Sequence, residues 1–187
     1  MLMEQRKNEL DILAQQANCA GDKLYFNMKQ EVFNDSMSGH EDAENYKAYC
    51  HQREIGFEEY QAHIAQKISA ITTAEELHYL AVDHNFDSGT WLLQNIVLNP
   101  ACDIITAKML YWLSQPYWYY DNYGSPSKYP EDEFSFATAN FLTKMEERAN
   151  NEGFQTGLKL DKEIIYEQPL DFDFTIYPYC NMPLAFR

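Results

Sequence analysis

Residues 104–113, Ile-Ile-Thr-Ala-Lys-Met-Leu-Tyr-Trp-Leu, would carry apolar side chains on nearly every side of a helix. A helix of that kind has no broad polar face to give to water, so it needs neighbours around it. This requirement favours a domain in which helices pack on helices. Asp103 stands at the N-cap position of the segment, where its carboxylate can accept from a free amide of the first turn. Gln115-Pro116 closes the segment, because the residue before a proline avoids right-handed helical geometry. The spacing therefore predicts a buried central helix over 104–113.

The flanking sequence supplies the partners. Residues 3–19 place Met3, Leu10, Leu13, Ala14 and Ala17 on one side and read as an amphipathic helix that ends at Gly21-Asp22. Leu24, Tyr25, Met28 and Val32 fit a second short helix over 24–34, with a strand opening at Tyr25-Phe26 as the alternative. The stretch Asn34-Asp35-Ser36-Met37-Ser38-Gly39 is turn-rich. Helices follow at 41–54 and 57–70, parted by Gly56, and links this short favour antiparallel hairpins. Thr73-Ala74-Glu75-Glu76 has the form of a capping box ahead of Leu77, Leu80 and Ala81. Asp87-Ser88-Gly89 offers a cap for a helix carrying Trp91, Leu92, Ile96 and Val97, and Asn99-Pro100 stops it.

Beyond Pro116 runs an aromatic segment, Tyr117-Trp118-Tyr119-Tyr120-Asp121-Asn122-Tyr123, then a Pro/Ser/Gly loop to Pro130. Glu131, Asp132 and Glu133 are expected in the first turn of a helix reaching Asn150, where the macrodipole favours negative charge. That helix is expected to bury Phe134, Ala137, Phe141, Leu142 and Met145. After Gly153 the pattern changes. Residues 158–160 and 164–166 could be short strands, and Leu170 to Ile176 alternates apolar and acidic residues with period two. The expected fold is mainly α: packed helical hairpins with a short β or extended C-terminal segment. It forms a single domain over 1–187, with its core in 57–150 and a strand-like or extended tail over 154–187.

The chain holds 29 acidic and 14 basic residues, a net charge of −15. That field repels phosphate backbones and anionic lipid, so neither nucleic acid nor a membrane is expected as a partner; basic proteins are. Between 130 and 175 eleven acids stand against four bases, a local balance of −7. Cys19, Cys50, Cys102 and Cys180 form no CxxC pair and share no metal-type spacing with histidine, which reads as buried, reduced thiols. The residues from Met1 to Lys7 lack the apolar run of a leader, and a cytoplasmic location is expected.

Two stretches carry a family likeness: Glu75 to Gly89, and Asn99-Pro100-Ala101-Cys102-Asp103 onward to Trp112. Over about residues 74–115 the chain resembles a bacterial domain of unknown function, DUF4274, with Asn85, Asp87, Gly89, Cys102, Asp103, Thr106, Ala107 and Trp112 on the shared pattern. Phe86 stands where that pattern has Trp, and Ser88 where it often has a second acid. The resemblance implies, by association, an immunity protein that opposes a bacterial toxin.

No catalytic residues and no cofactor are expected. His78 and His84 lie six residues apart, about 120° out of alignment on a helix, so a metal pair is not expected there. Thr73, Glu76, Asp83, Asn85, Asp87, Gly89 and Asp103 read as caps and motif positions. The expected function is an immunity or antitoxin-type protein that neutralises a basic effector toxin by direct contact. Its partner-binding residues are expected among Tyr117, Trp118, Tyr119, Tyr120, Asp121 and Tyr123, with Glu131, Asp132, Glu133, Asp171 and Asp173 as an acidic complement. The alternatives are a small metal-dependent or carboxylate-based enzyme built on the Asp83–Asp87 loop, and an oligomeric scaffold that hides its aromatic surface.

Overall fold

A computed structural model describes residues 2–37, 43–82, 84–159 and 182–187. Among them the protein is mainly α-helical: α1 (Glu4–Gly21), α2 (Gln30–Met37), α3 (Ala43–Ile55), α4 (Phe57–Ser69), α5 (Ala74–Val82), α6 (Trp91–Leu98), α7 (Ile104–Leu113), α8 (Pro116–Tyr123) and α9 (Phe136–Asn151). Short 3-10 turns occupy Phe86–Ser88, Pro126–Lys128 and Leu184–Phe186.

The hub of the packing is α1, which lies against α3, α4, α5 and α6. Its buried Leu10, Leu13, Ala17 and Ala20 follow helical periodicity and form one face, and Cys19 is buried outside it. The last carbonyls of α1 have no partner within the helix. Side chains of its neighbours satisfy two of them: Gln52 on α3 donates to the Cys19 carbonyl at 2.6 Å, and Gln61 on α4 donates to the Ala20 carbonyl at 2.8 Å. Gly21 lets α6 come in at this end, since a Cβ there would sit 3.0 Å from the Trp91 Cβ. Gly56 is the entire link between α3 and α4, and its φ of +99° is one that favours glycine.

In turn α6 buries Leu92, Leu93, Ile96 and Val97 and packs on α1, α4, α5 and α9. Asn99 then ties the α6–α7 link to the end of α4. Its side-chain amide donates to the carbonyls of Ile68 and Ile71 at 2.9 and 3.0 Å, while its oxygen accepts from the Ala101 amide at 2.8 Å. Arg148 on α9 is 8 % exposed and faces carbonyls instead of a carboxylate, donating to Val97, Asn99 and Gly153, with its guanidinium over the Phe154 ring.

Several expectations change at this level. The second helix begins at Gln30, because residues 24–28 form turns that Arg53 holds by donating to the carbonyls of Phe26 and Met28. The apolar helix α7 is not the centre of the bundle. It buries Thr106, Ala107, Leu110, Tyr111 and Trp112 against α5, α9 and the final turn, and leaves Leu113 36 % exposed. The acids 131–133 precede α9 instead of opening it, and Phe134 and Ala137 face solvent. No strand occurs at 158–159; the Gln155 backbone makes an isolated parallel bridge to Asp103. The strands expected at 164–166 and 170–176 lie outside the described residues, as do Asp83, Cys180 and the acids Asp171 and Asp173. The last residues pack: Met182 and Phe186 are buried.

Candidate partner-binding surface

The aromatic segment forms α8. Pro116 sits in its first turn, where a missing amide hydrogen costs nothing, and Gly124 ends it in the left-handed region. Ahead of it, Gln115 adopts φ +54°, the one non-glycine in that region among the described residues. Such a conformation is strained for a residue with a Cβ and concentrates at functional sites. It reverses the chain between α7 and α8 and brings Leu113 and Trp118 to one groove.

The rings of α8 divide between core and surface. Tyr119 is 4 % exposed and donates to the Ser135 carbonyl at 3.3 Å; Tyr120 is 6 % exposed and donates to Glu146 at 2.9 Å. Those two tyrosines pack into the core, and Tyr119 still forms part of the wall of the groove beside Trp118. Trp118 is 41 % exposed and rests edge-on against Tyr119, with Tyr123 and Tyr129 tilted beneath it at 5.6 and 5.8 Å. Tyr117 and Tyr123 are half-buried, and Asp121 is exposed.

Around Trp118 lies a groove of about 360 Å³ lined by Phe86, Leu113, Ser114, Gln115, Trp118, Tyr119, Ser135 and Thr138. Phe86 reaches it from the 3-10 turn, which Asn85 caps by accepting from the Asp87 amide at 3.0 Å. Asp87 therefore does not cap α6, whose first turn follows Thr90 without a side-chain cap. Ser135 lines the groove, and the residues just before it in the chain, Glu131, Asp132, Glu133 and Phe134, are all exposed. Nothing in the sequence pattern marks Phe86, Leu113, Gln115 and Phe134 as surface residues. For Phe134, helical phase points inward only if α9 begins at the acids, several residues before its actual start.

Several of the other polar side chains make hydrogen bonds within the chain, while His78 Nε2 and His84 Nδ1 are buried with no partner among the described residues. The Asp103 carboxylate accepts from the Ile105 amide at 2.9 Å and from the Leu158 amide at 3.0 Å, capping α7 and holding the segment after α9. Thr73 accepts from the Glu76 amide at 3.4 Å, but the Glu76 carboxylate turns to the Thr73 hydroxyl and to Arg6, 2.6 Å away, so the box is half formed. Those hydrogen bonds to Arg6 and Thr73 hold the Glu76 carboxyl below its ordinary range. A wider depression of about 800 Å³ opens beside Thr73, Asn99 and Asp103, with Glu75 and Lys159 also on its wall.

His78 and His84 serve different neighbours: His78 Nδ1 meets the Thr106 hydroxyl at 2.9 Å, and His84 Nε2 donates to the Gly89 carbonyl at 2.8 Å. Burial lowers both pKa values, which keeps the rings neutral. Among the described residues no group of three or more His, Cys, Asp or Glu is placed to hold a metal. Cys19 and Cys102 are buried thiols and Cys50 is half-buried. Burial pushes the Cys102 thiol up to about 12, so it is protonated and inert at neutral pH. No described helix is long and apolar enough to cross a membrane.

A buried carboxylate network lies behind α8. Tyr111 and Tyr120 both donate to Glu146 Oε1, at 2.6 and 2.9 Å. Burial raises the Glu146 carboxyl above its ordinary value while the two hydroxyls pull it back, and burial also raises both phenols. Sequence spacing does not reveal this triad, because its members come from three helices.

No curated protein and no solved structure matches the chain. A family match exists, and it extends past residues 74–115, taking in α8, the acidic turn and every residue that lines the Trp118 groove. Residues 72–149 match the family described as Domain of unknown function (DUF4274).

Proposed function

We propose that this chain is an immunity or antitoxin-type binding protein that neutralises a basic bacterial effector toxin by direct protein–protein contact in the cytoplasm. The observation that carries the reading is the pairing of a net charge of −15 with solvent-facing aromatic side chains, Trp118 and Phe134, next to exposed acids at 131–133. Aromatic rings supply the desolvated anchors of an interface, and complementary charge speeds encounter and rejects wrong partners. The acids at 131–133 stand in an exposed turn ahead of α9, where they are open to a partner's basic groups.

The direct biological test pairs this chain with the product of the reading frame beside its own in the native host. Expression of that product alone should arrest growth, and co-expression of this chain should restore it. Arrest that this chain does not relieve would remove the reading. A second reading, self-association into an oligomeric scaffold, is favoured by Phe134, whose ring is fully exposed. Sedimentation at equilibrium tests the second, which requires a concentration-dependent oligomer of this chain alone; the first requires only a complex with another protein.

A further inference from the structure

We infer that the Trp118 groove is the seat of an arginine from a basic segment of the partner, the guanidinium lying on the indole face with its countercharge from the turn 131–133. The inference rests on the proposed binding function and specifies its contact. The size of the space limits the occupant. The groove offers about 360 Å³, so it takes individual side chains inserted from a partner segment.

The lining selects the chemistry. Phe86, Leu113, Trp118 and Tyr119 are apolar or aromatic, and Ser114, Gln115, Ser135 and Thr138 offer oxygen acceptors. None of the lining residues is charged. Acids stand close to lining residues along the chain: Asp87 follows Phe86, and Glu131 to Glu133 precede Ser135 by two to four residues. Of the cations in this part of the fold, Lys144 donates to Gln94 at 2.9 Å and Arg148 is buried among carbonyls, while Lys128 is exposed beside Gly124, at the opposite end of α8 from Gln115. An indole with hydroxyl and amide acceptors around it, and with acids close by along the chain, suits a planar, weakly hydrated cation with five donors. That describes arginine better than lysine, whose ammonium is compact and strongly hydrated. Gln115, on the groove wall, sits just past the end of α7 and before Pro116, where left-handed geometry terminates a helix.

The test uses the full chain and a capped ten-residue peptide alternating arginine and serine, with lysine–serine and glutamate–serine peptides as comparators. The readout is the indole N–H resonance of each tryptophan, with Trp118 assigned from Trp118→Phe. The arginine peptide should shift the Trp118 signal, leave the buried Trp112 signal in place, and bind about tenfold more tightly than the lysine peptide. The triple variant E131Q/D132N/E133Q changes only exposed side chains, and its affinity for the arginine peptide should be mostly abolished. An unmoved Trp118 resonance, or equal binding of the arginine and lysine peptides, overturns the inference. The two proposals also fail separately. If the neighbouring effector binds and Trp118→Ala leaves its affinity unchanged, the groove assignment falls and the inhibitor reading stands. If the peptide shifts Trp118 but no effector binds, the inhibitor reading falls.

Discussion

Tyr111 and Phe186 stack face to face, their ring centroids 4.2 Å apart and their planes inclined by 16°. Both rings are fully buried, and two hydrogen bonds to the last residues flank them: Trp112 Nε1 donates to the Phe186 carbonyl at 3.0 Å, and Lys108 Nζ to the Arg187 carbonyl at 2.8 Å. Residues 182–187 thus complete the core against α7. Phe186→Ala should cost about 3–5 kcal/mol of unfolding free energy, the usual loss for a truncated buried phenylalanine. Urea denaturation measures it; a loss below about 1 kcal/mol, the range of tolerated surface changes, would show that the terminal residues do not hold the core.

The Glu146 triad makes stability depend on pH in an identifiable direction. Burial raises the folded pKa of this carboxyl above its unfolded value, so the folded chain holds the proton more tightly. That contribution is fully present below the unfolded pKa, near 4.5, and disappears as pH rises through the raised folded value. Glu146→Gln keeps an oxygen acceptor for Tyr111 and Tyr120 but has no proton to lose. The stability of the native chain relative to the variant should therefore fall as pH climbs through that window. Parallel pH–stability curves for the two proteins would contradict the placement of Glu146.

Asp103 joins two parts of the chain through one carboxylate, capping α7 with one oxygen and fixing Leu158 with the other. Asp103→Ala should cost about 1–2 kcal/mol from the cap alone, and it also leaves the Leu158 amide without its acceptor. Asp103→Ser, which restores a capping oxygen but does not extend to Leu158, should recover only part of that stability. Thermal unfolding of the two variants reads the difference; a serine variant as stable as the native chain would mean that the hydrogen bond to Leu158 contributes nothing.

Phe134 is fully solvent-exposed, and a residue that buries nothing contributes little to folding. Phe134→Ser should leave stability within about 0.5 kcal/mol of the native chain. The same variant should weaken the complex with the effector by about fivefold or more, since truncation of a central interface residue commonly costs more than about 1 kcal/mol. Denaturation and binding measurements on one preparation separate the effects. A marked drop in stability would show that Phe134 packs in the folded chain.

The parts of this fold that are legible in sequence are those written in local chemistry. Asp103 caps the helix it precedes, Gly56 parts α3 from α4, and Pro116 marks the reversal after α7, because each acts on backbone groups within a few residues. The misreadings arise where tertiary packing chooses among locally allowed outcomes. Phe134 fits a core phase only if α9 starts at the acids, whereas the chain turns until Ser135. The apolar sequence of α7 demands burial but does not say that the C-terminal turn, rather than a ring of helices, provides part of it. Of the expected surface, Trp118 and the acids 131–133 do face solvent. Tyr119 and Tyr120 are drawn inward by a carbonyl and a carboxylate from elsewhere in the chain, partners to which single-sequence spacing is blind.

The most direct test of the central claim is the association of this chain with the neighbouring effector, followed by stopped-flow at rising salt concentration. The account predicts a one-to-one complex whose association rate falls steeply as ionic strength increases, while dissociation changes little. Failure to associate at low salt, or an association rate indifferent to salt, would contradict it.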